Sequence, residues 1–414
     1  MFVAFGALLP QAALAVPPRL PEPASEDDGT AMSLPVRDHG VIVSRHARPG
    51  RRLRGDHEPI DLLMLVHEAD WSSSLEAIIE RVADTTAVEV LVEDLRRDGP
   101  RYQRLARGRC VELTEVAHDT PWIRDYGPLQ VFDGDHPVWV DFAYASDRTL
   151  DDALPENLAS RHESLLDLQT TYLEGGAVVS NGRGLCAMSE MSLLETGVAS
   201  GDADQLERFA AHMGCAALAV VPALPDEQTG HADVTIQFLD VDRVAVAWMS
   251  PDERPLQSEL LDQTEQLLRE AADLLGQPLE VVRVPMSSHG DVFYSYLNGT
   301  RVGDVFLVPS YARDDPAYQQ AAYAILEANM PGVTLVPIPA DAMVELGGAI
   351  HCITLGLNLP RRAPRRCVPG QATRVEPHGT PRRRRAARSP GSARPWRARP
   401  SELQPRPGSK LRAL

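Results

Sequence analysis

The strongest constraint on the fold is a unit of helix, strand and hairpin that recurs between about residues 58 and 358. Each helical segment has apolar residues at the 3.6-residue period, and a short strand rich in Val, Ile and Leu follows it. A polar motif comes next, usually followed by a hairpin whose turn is Asp-Gly, Asn-Gly or a similar pair. The predicted helices are 74–86, 202–214, 256–276 and 316–330, and the clearest hairpins are 127–142, 176–189, 233–248 and 294–309.

The polar motifs recur at similar spacing along the chain. Asp125, Glu174, Asp233, Asp291 and Cys352 are separated in turn by 49, 59, 58 and 61 residues. A supersecondary unit of this size that repeats about five times predicts units arranged around a centre. In such a ring the start of each hairpin faces the axis, so motifs that are far apart in sequence are expected to converge there.

Four motifs carry residue types with chemical potential, although each alone has an ordinary structural explanation. They are TPWIRDYGP with Trp122, Arg124 and Asp125, LEGGAVV with Glu174, TGHADV with His231 and Asp233, and GGAIHCIT with Cys352. Brought together, two carboxylates suit a planar guanidinium, which pairs bidentately with such groups. A thiolate can attack the guanidinium carbon, and a histidine can protonate the departing ammonia and then activate water.

The combination W-x-R-D-x-G-P, E-G-G, G-H-x-D and G-G-x-x-H-C-I-T resembles the agmatine deiminase and bacterial-type peptidylarginine deiminase family, over about residues 33–358. That family belongs to the guanidino-group-modifying superfamily. The resemblance implies an α/β fold, a five-bladed α/β propeller (pentein) with pseudo-fivefold symmetry. It also implies hydrolysis of a guanidinium to a ureido product and ammonia through a covalent Cys amidino-thioether, with no metal or organic cofactor.

The resemblance also implies a role for each catalytic residue. Cys352 corresponds to the nucleophile and His231 to the general acid and base. Asp125 and Asp233 correspond to the carboxylates that clamp the guanidinium nitrogens.

Three further residues are predicted to bind substrate. Trp122 is expected to pack against the aliphatic stem, Glu174 to orient the substrate or support its neighbours, and Arg124 is grouped with them. The sequence departs from agmatine-specific relatives, because Ile-Thr-Leu-Gly follows Cys352 where Gln-Gln is usual, and because Trp71 is displaced from its usual place. The predicted substrate is therefore a small-molecule or peptidyl guanidine, such as agmatine or peptidyl-arginine.

Other functions remain open from the sequence. An amidinotransferase of the same fold would pass the amidino group to an amine rather than to water. A non-catalytic binder of cationic ligands would have little use for the thiol. A papain-like peptidase is disfavoured, because no C-G-S-C-W-type signature surrounds Cys352.

Charge separates a basic C-terminal region from an acidic remainder of the chain. Residues 361–414 carry 16 Arg or Lys and two acids, which leaves a formal charge of −31 on residues 1–360, against −17 for the whole chain. An acidic body is expected to attract small cations and not nucleic acid.

We interpret residues 1–32 as a signal-like segment with a Pro-rich linker, 33–360 as the catalytic domain, and 361–414 as a disordered basic tail. The first segment favours a secreted or periplasmic protein over a cytoplasmic one, and no membrane span is predicted.

The remaining predictions concern cysteines, one histidine and assembly. Cys110, Cys186, Cys215 and Cys367 are widely spaced without a CxxC pair, so neither a metal site nor a disulfide framework is predicted. Cys186 is expected in the core of the second hairpin. His351 is expected to point to the face opposite the nucleophile if residues 346–358 form a strand. A homodimer is compatible with the sequence.

Overall fold

The computed structural model describes residues 40–198 and 203–360 in full, and the backbone of residues 372–374. The predicted signal-like segment and almost all of the predicted basic tail, including Cys367, lie outside the described residues. Within the described residues no helix is both long and apolar enough to cross a membrane.

The strands of the described residues are, in chain order, β1 (Gly40–Val43), β2 (Arg51–Leu53), β3 (Leu62–Val66), β4 (Ala87–Val92), β5 (Val111–Glu115), β6 (Leu129–Asp133), β7 (His136–Ala143), β8 (Leu165–Tyr172), β9 (Val178–Ser180), β10 (Leu185–Ser189), β11 (Ala217–Val221), β12 (Ile236–Asp240), β13 (Arg243–Trp248), β14 (Glu280–Pro285), β15 (Ser287–His289), β16 (Val292–Tyr294), β17 (Thr300–Val302), β18 (Val305–Ser310), β19 (Thr334–Pro339), β20 (Thr354–Leu357) and β21 (Ala372–Arg374).

The helices are α1 (Ser72–Val82), α2 (Gly99–Gln103), α3 (Ile123–Tyr126), α4 (Thr149–His162), α5 (Glu190–Glu195), α6 (Ala203–Met213), α7 (Ala232–Thr235), α8 (Pro255–Leu274), α9 (Pro316–Asn329) and α10 (Asp341–Val344). Two 3-10 turns occupy Ala69–Trp71 and Gly175–Ala177. The four helices predicted from periodicity correspond to α1, α6, α8 and α9.

The sheets repeat one pattern, in which an antiparallel pair is followed by a helix and a parallel third strand. It occurs in β6-β7-β8 through α4, in β9-β10-β11 through α5 and α6, in β12-β13-β14 through α8, and in β17-β18-β19 through α9. Strand β2 extends the first of these sheets and β1 extends the second. The predicted repeat is therefore confirmed as a structural unit.

The fifth copy of the pattern is assembled from the two ends of the domain. Strand β20 lies antiparallel to β3, with Thr354 opposite Leu65, and β3 lies parallel to β4 across helix α1. The last strand of the repeat region, β20, thus completes the sheet that contains β3 and β4, which we call the first sheet. There are therefore five such sheets, and one of them is formed jointly by the first and the last segments of the repeat region. This is the five-bladed α/β arrangement that the sequence predicted.

Helix α1 shows how sequence periodicity gives packing in these units. Its apolar residues Leu75, Ile78, Ile79 and Val82 follow the i, i+3, i+4, i+7 pattern and are all buried. They belong to the largest apolar cluster of the molecule, together with strand residues such as Leu63. The apolar face of α1 is thus packed against apolar residues of the strands.

The prediction that the cysteines form no disulfide framework is wrong for three of them. Cys186 and Cys215 form a disulfide bond, with their Cα atoms 5.7 Å apart. Cys186 lies in β10 and Cys215 immediately precedes β11, and these strands are parallel neighbours. The pairing of the strands, which spacing along the sequence does not reveal, brings the two thiols together. Cys186 is fully buried, as expected, and Cys110 is also disulfide-bonded.

One short strand differs from the predicted domain boundary at residue 360. The backbone of Ala372–Arg374 pairs in parallel with β5 at the edge of the first sheet. An edge strand offers unpaired backbone groups, and this stretch contains a β-branched residue, Thr373. This pairing departs from the disordered tail that the Arg- and Pro-rich surroundings of these residues predict.

Candidate active site

Five short turns, each immediately before the first strand of an antiparallel pair, carry the polar residues of the centre. Helix α3 precedes β6, the 3-10 turn Gly175–Ala177 precedes β9, and α7 precedes β12. The turns before β17 and β20 complete the set. The side chains that they bring to the centre are Asp125, Glu174, His231, Asp233, Asn298, His351 and Cys352.

Gly176 shows how closely three of these side chains converge. A Cβ atom placed on Gly176 would lie 2.7 Å from His231 Nδ1, and 3.0 Å from both Asp125 Oδ1 and Asp233 Oδ2. Three residues that are separated by up to 108 positions in sequence therefore face one small space, and the backbone of Gly176 forms its wall. The E-G-G motif requires glycine here because any side chain would fill that space.

His231 is buried and lies between two carboxylates. Its Nε2 donates a hydrogen bond to Glu174 Oε2 at 2.7 Å, and its Nδ1 lies 3.6 Å from Asp125 Oδ1. Tyr172 donates a hydrogen bond from its hydroxyl to the other oxygen of Glu174. Burial lowers the pKa of His231, but Asp125 and Glu174 more than offset this and raise that pKa to about 10. The histidine is thus an imidazolium near neutral pH.

Cys352 is the free cysteine of the described residues, and it is 2% exposed. Its Sγ donates to Asn298 Oδ1 at 3.4 Å and lies 3.8 Å from Asp233 Oδ2. Burial, followed by the charges of Asp233 and Asp125, raises the pKa of Cys352 well above its ordinary value. The sulfur is therefore a thiol until another charge enters the site.

Trp122 forms an indole wall beside the cysteine. A Cβ atom on Gly348 would lie 2.6 Å from Trp122 Cζ3 and 3.1 Å from Cys352 Cβ. The indole therefore lies next to the turn that carries Cys352. Trp71 packs on Trp122 with ring centroids 4.8 Å apart. The tryptophan that is displaced in sequence therefore still reaches this wall, where it supports Trp122.

The guanidinium of Arg124, a predicted substrate-binding residue, lies beside His351 and Asp56. Its Nε is 3.5 Å from the His351 carbonyl oxygen, and its Nη1 is 3.8 Å from Asp56 Oδ1. Within the described part of the chain, Asp56 is its ion-pair partner. The structure thus connects Arg124 with residues that contact Asp233 rather than with Asp125 or Glu174.

The prediction for His351 is wrong. Residues 351–353 form a turn, and strand β20 begins only at Thr354, so the alternation of a strand does not apply. The His351 Nδ1 donates a hydrogen bond to Asp233 Oδ2 at 2.6 Å, which places the ring in the same cluster as the nucleophile.

The fourth polar position of the repeat is Asn298 rather than Asp291. Asp291 is exposed in the turn between β15 and β16. Asn298 contacts the Cys352 thiol, accepts a hydrogen bond from the Ala349 backbone N–H at 3.1 Å, and precedes β17. The sequence signal that could have identified it was the segment SYLNG, which lies just before β17.

A metal-ligand arrangement is also present among the described residues. Asp125, Glu174 and His231 each offer one ligand atom, and these atoms lie within 4.8 Å of one another. They are the same groups that face the space beside Gly176. The absence of a metal or organic cofactor remains a prediction for this site.

Comparison with known proteins identifies the family. Residues 65–357 match the family described as Porphyromonas-type peptidyl-arginine deiminase. This match covers most of the chain and all the polar residues of the five central turns. The chain belongs to the Porphyromonas-type peptidyl-arginine deiminase family.

Individual relatives have low sequence identity but extensive coverage. An agmatine deiminase of Pseudomonas aeruginosa is 25% identical over 299 residues, which cover 61% of this chain and 78% of that protein. The structure of the agmatine deiminase of Enterococcus faecalis has a TM-score of 0.63 at 19% identity, covering 77% of this chain and 98% of that one. A substituted agmatine deiminase of C. jejuni with substrate bound has a TM-score of 0.64 at 17% identity, covering 75% and 97%. These structures share the fold described above.

Proposed function

We propose that this protein is a guanidine deiminase, which hydrolyses a guanidinium substrate to a ureido product and ammonia. The observation that supports this most directly is the convergence of a thiol, an imidazolium and carboxylates on the space beside Gly176. No single blade supplies this set, and each member has a distinct use in attack on a guanidinium carbon. Family membership agrees with the proposal.

The carboxylates are placed to hold a flat cation. Asp125 Oδ1 and Asp233 Oδ2 face the same small space, and Asp233 Oδ1 is buried without a hydrogen-bond partner among the described residues. A buried carboxylate oxygen without a donor is costly unless a ligand supplies one. A guanidinium presents five N–H donors in a plane and satisfies this requirement. The indole of Trp122 is available to the aliphatic part of the substrate.

Binding of the substrate activates the nucleophile. The charges of Asp233 and Asp125 help to hold the Cys352 proton in the free protein. A guanidinium between these carboxylates offsets their charge and brings a positive charge close to the sulfur. The pKa of the thiol then falls, its proton is released to solvent, and a thiolate forms beside the guanidinium carbon.

The first half of the reaction forms a covalent intermediate. The Cys352 sulfur bonds to the guanidinium carbon, and the imidazolium of His231 gives its proton to one terminal nitrogen. The carbon–nitrogen bond breaks and ammonia leaves. The product of this step is a cationic amidino-thioether, which Asp125 and Asp233 continue to stabilise.

The second half of the reaction releases the product. His231, now neutral, takes a proton from water while the water oxygen bonds to the amidino carbon. The carbon–sulfur bond then breaks, and the electron pair returns to Cys352. The proton of the newly added hydroxyl passes to the sulfur as the ureido product leaves, so the thiol and the imidazolium of the free protein are restored. Glu174 holds His231 in one orientation through both stages by its 2.7 Å hydrogen bond.

A pocket next to Cys352 favours a substrate whose far end is not anionic. Its described lining includes Glu227 and Asp291, Phe293 and Tyr311, and the turn Gly347–Ala349, and contains no Lys or Arg. A carboxylate there would meet two acids and no cation. We therefore infer that agmatine or an arginine within a peptide is preferred over free arginine.

The test is ammonia release by purified protein from agmatine, free arginine, a peptide with an internal arginine, and methylated arginines. We expect the highest kcat/KM with agmatine or the peptide, and at least about tenfold less with free arginine, which corresponds to about 1.4 kcal/mol. Failure to release ammonia from every guanidine would contradict the proposal. Loss of guanidine with transfer to an added amine would instead indicate an amidinotransferase.

Gly176→Ala tests whether the space beside this residue holds the substrate. The added methyl group would meet His231, Asp125 and Asp233 at 2.7–3.0 Å. We expect kcat/KM to fall by about 10²-fold or more, because displacements of this size at reacting groups have such effects. Gly40→Ala is the matched control, since a Cβ there meets nothing within 4 Å. Equal activity of the two variants would exclude this location.

Assembly and location stay predictions. The homodimer, the lack of nucleic-acid binding and the export of the protein depend on surfaces and segments for which the central cluster gives no information. The Cys186–Cys215 disulfide supports an oxidising compartment, because such bonds persist mainly there.

A further inference from the structure

A chain of alternating charges leads away from Asp233. The His351 Nδ1 lies 2.6 Å from Asp233 Oδ2, and its Nε2 lies 3.3 Å from Asp56 Oδ2. Asp56 is contacted in turn by Arg54 Nη2 at 3.1 Å and by Arg124 Nη1 at 3.8 Å. Carboxylate, imidazole, carboxylate and guanidinium groups thus follow one another through the interior.

The surroundings of His351 favour its doubly protonated form. A neutral imidazole has one N–H, whereas both nitrogens of His351 face carboxylate oxygens. Burial and the charge of Arg124 lower the pKa of His351, but Asp56 and Asp233 more than offset these effects and raise it. Conversely, burial raises the pKa of Asp56, but His351, Arg124 and Arg54 lower it well below its usual range. Each charge is therefore stabilised by the next.

Asp233 depends on this row of alternately charged side chains for its orientation. Its side chain is fully buried, and among the described residues it is bonded by His351 and contacted by the Cys352 thiol. The thiol loses its proton and moves toward carbon during the reaction, so it cannot fix the carboxylate throughout. The remaining contact is the hydrogen bond from His351.

We propose that His351 and Asp56 are positioning residues, which hold Asp233 Oδ2 so that the carboxylate keeps its orientation toward the guanidinium. Neither residue touches the reacting atoms. Asp56 holds the imidazolium ring by its second nitrogen, and Arg54 and Arg124 hold Asp56. This inference rests on the proposed guanidine site, and it assigns to Arg124 support of the clamp rather than contact with substrate.

The test measures alkylation of Cys352 with two reagents, chloroacetamidine and iodoacetamide, in the full-length protein. The first is a planar cation that resembles a guanidinium, and the second is neutral. In the wild-type protein we expect alkylation by the cationic reagent to be faster at neutral pH, because the carboxylates bind it. In His351→Asn and Asp56→Asn we expect the ratio of the two rates to fall at least about tenfold.

Two features of the design keep a structural role separate from a positioning role. Asp56→Asn preserves shape and hydrogen-bonding capacity, so it carries the test if His351→Asn does not fold. His162→Asn is the matched control, because it removes a buried histidine that pairs with Glu89 at 2.7 Å outside the cluster. The control is expected to lower the unfolding temperature but to leave the ratio of alkylation rates unchanged.

The outcomes distinguish this inference from the proposed function. A wild-type protein that shows no preference for chloroacetamidine would overturn the guanidinium site itself. A wild-type preference that persists in folded Asp56→Asn and His351→Asn would overturn the positioning roles and leave the site intact. A fall in the ratio in these two variants, but not in His162→Asn, would support the inference.

Discussion

Replacement of Cys352 with alanine is expected to reduce ammonia release by at least about 10⁴-fold, since loss of a covalent nucleophile has effects of this size. In the proposed reaction the sulfur bonds to the guanidinium carbon, and no other free thiol occurs in the described residues. The carboxylates are unchanged in this variant. We therefore expect agmatine still to bind, as measured by calorimetry alongside an ammonia assay.

Two further measurements make the Cys352→Ala result decisive. Mass spectrometry of wild-type protein quenched during turnover is expected to show an adduct of the amidino group, and the variant is expected to show none. Ammonia release by Cys352→Ala at the wild-type rate would refute the assignment of the nucleophile. Loss of binding as well as turnover would show instead that the thiol contributes to the clamp.

Replacement of His231 with glutamine is expected to lower kcat by about 10²–10⁴-fold, the usual contribution of a general acid and base. The amide can still hydrogen-bond Glu174 but cannot transfer a proton to the leaving nitrogen. In the wild-type protein the imidazolium is required and its pKa is raised to about 10. We therefore expect kcat/KM to decline as the pH rises through about 10, and this decline to be absent in the variant.

The stability of the protein supplies an independent check on His231. Its pKa is higher in the folded protein, about 10, than the ordinary value of 6.5. The stabilisation from its charge is therefore fully present below pH 6.5 and is lost as the pH approaches 10. The unfolding free energy of the wild-type protein relative to His231→Gln should decrease across this interval. A constant difference would contradict the charged state of the histidine.

The sequence predicted the units of the fold and most of the central residues, because both depend on local patterns. Each hairpin contains alternating apolar and polar residues and residues that favour a tight turn. The similar spacing of Asp125, Glu174, Asp233 and Cys352 reflects one position repeated in each blade. Helix α4 was not identified, because its buried positions include Asp151 and His162 and its interior contains Pro155. An apolar periodicity is lost where polar residues are buried.

Residues whose roles depend on contacts between blades could not be assigned in this way. His351 was misjudged because a strand was assumed where the chain forms a turn. Asp56 belongs to none of the repeated motifs and reaches the cluster only through the packing of the first sheet. The Cys186–Cys215 bond likewise depends on which strands are neighbours, and this follows from topology rather than from composition.

The joining of β20 to β3 has a consequence for biosynthesis. Because the nucleophile precedes β20 directly, its final position requires that the beginning and the end of the repeat region meet. A ribosome-bound chain that has completed four blades already contains every carboxylate of the clamp but has no placed sulfur. Contacts of such high sequence separation form late, since their loop-closure entropy is the largest. Reactivity would thus appear only when translation of the domain is finished.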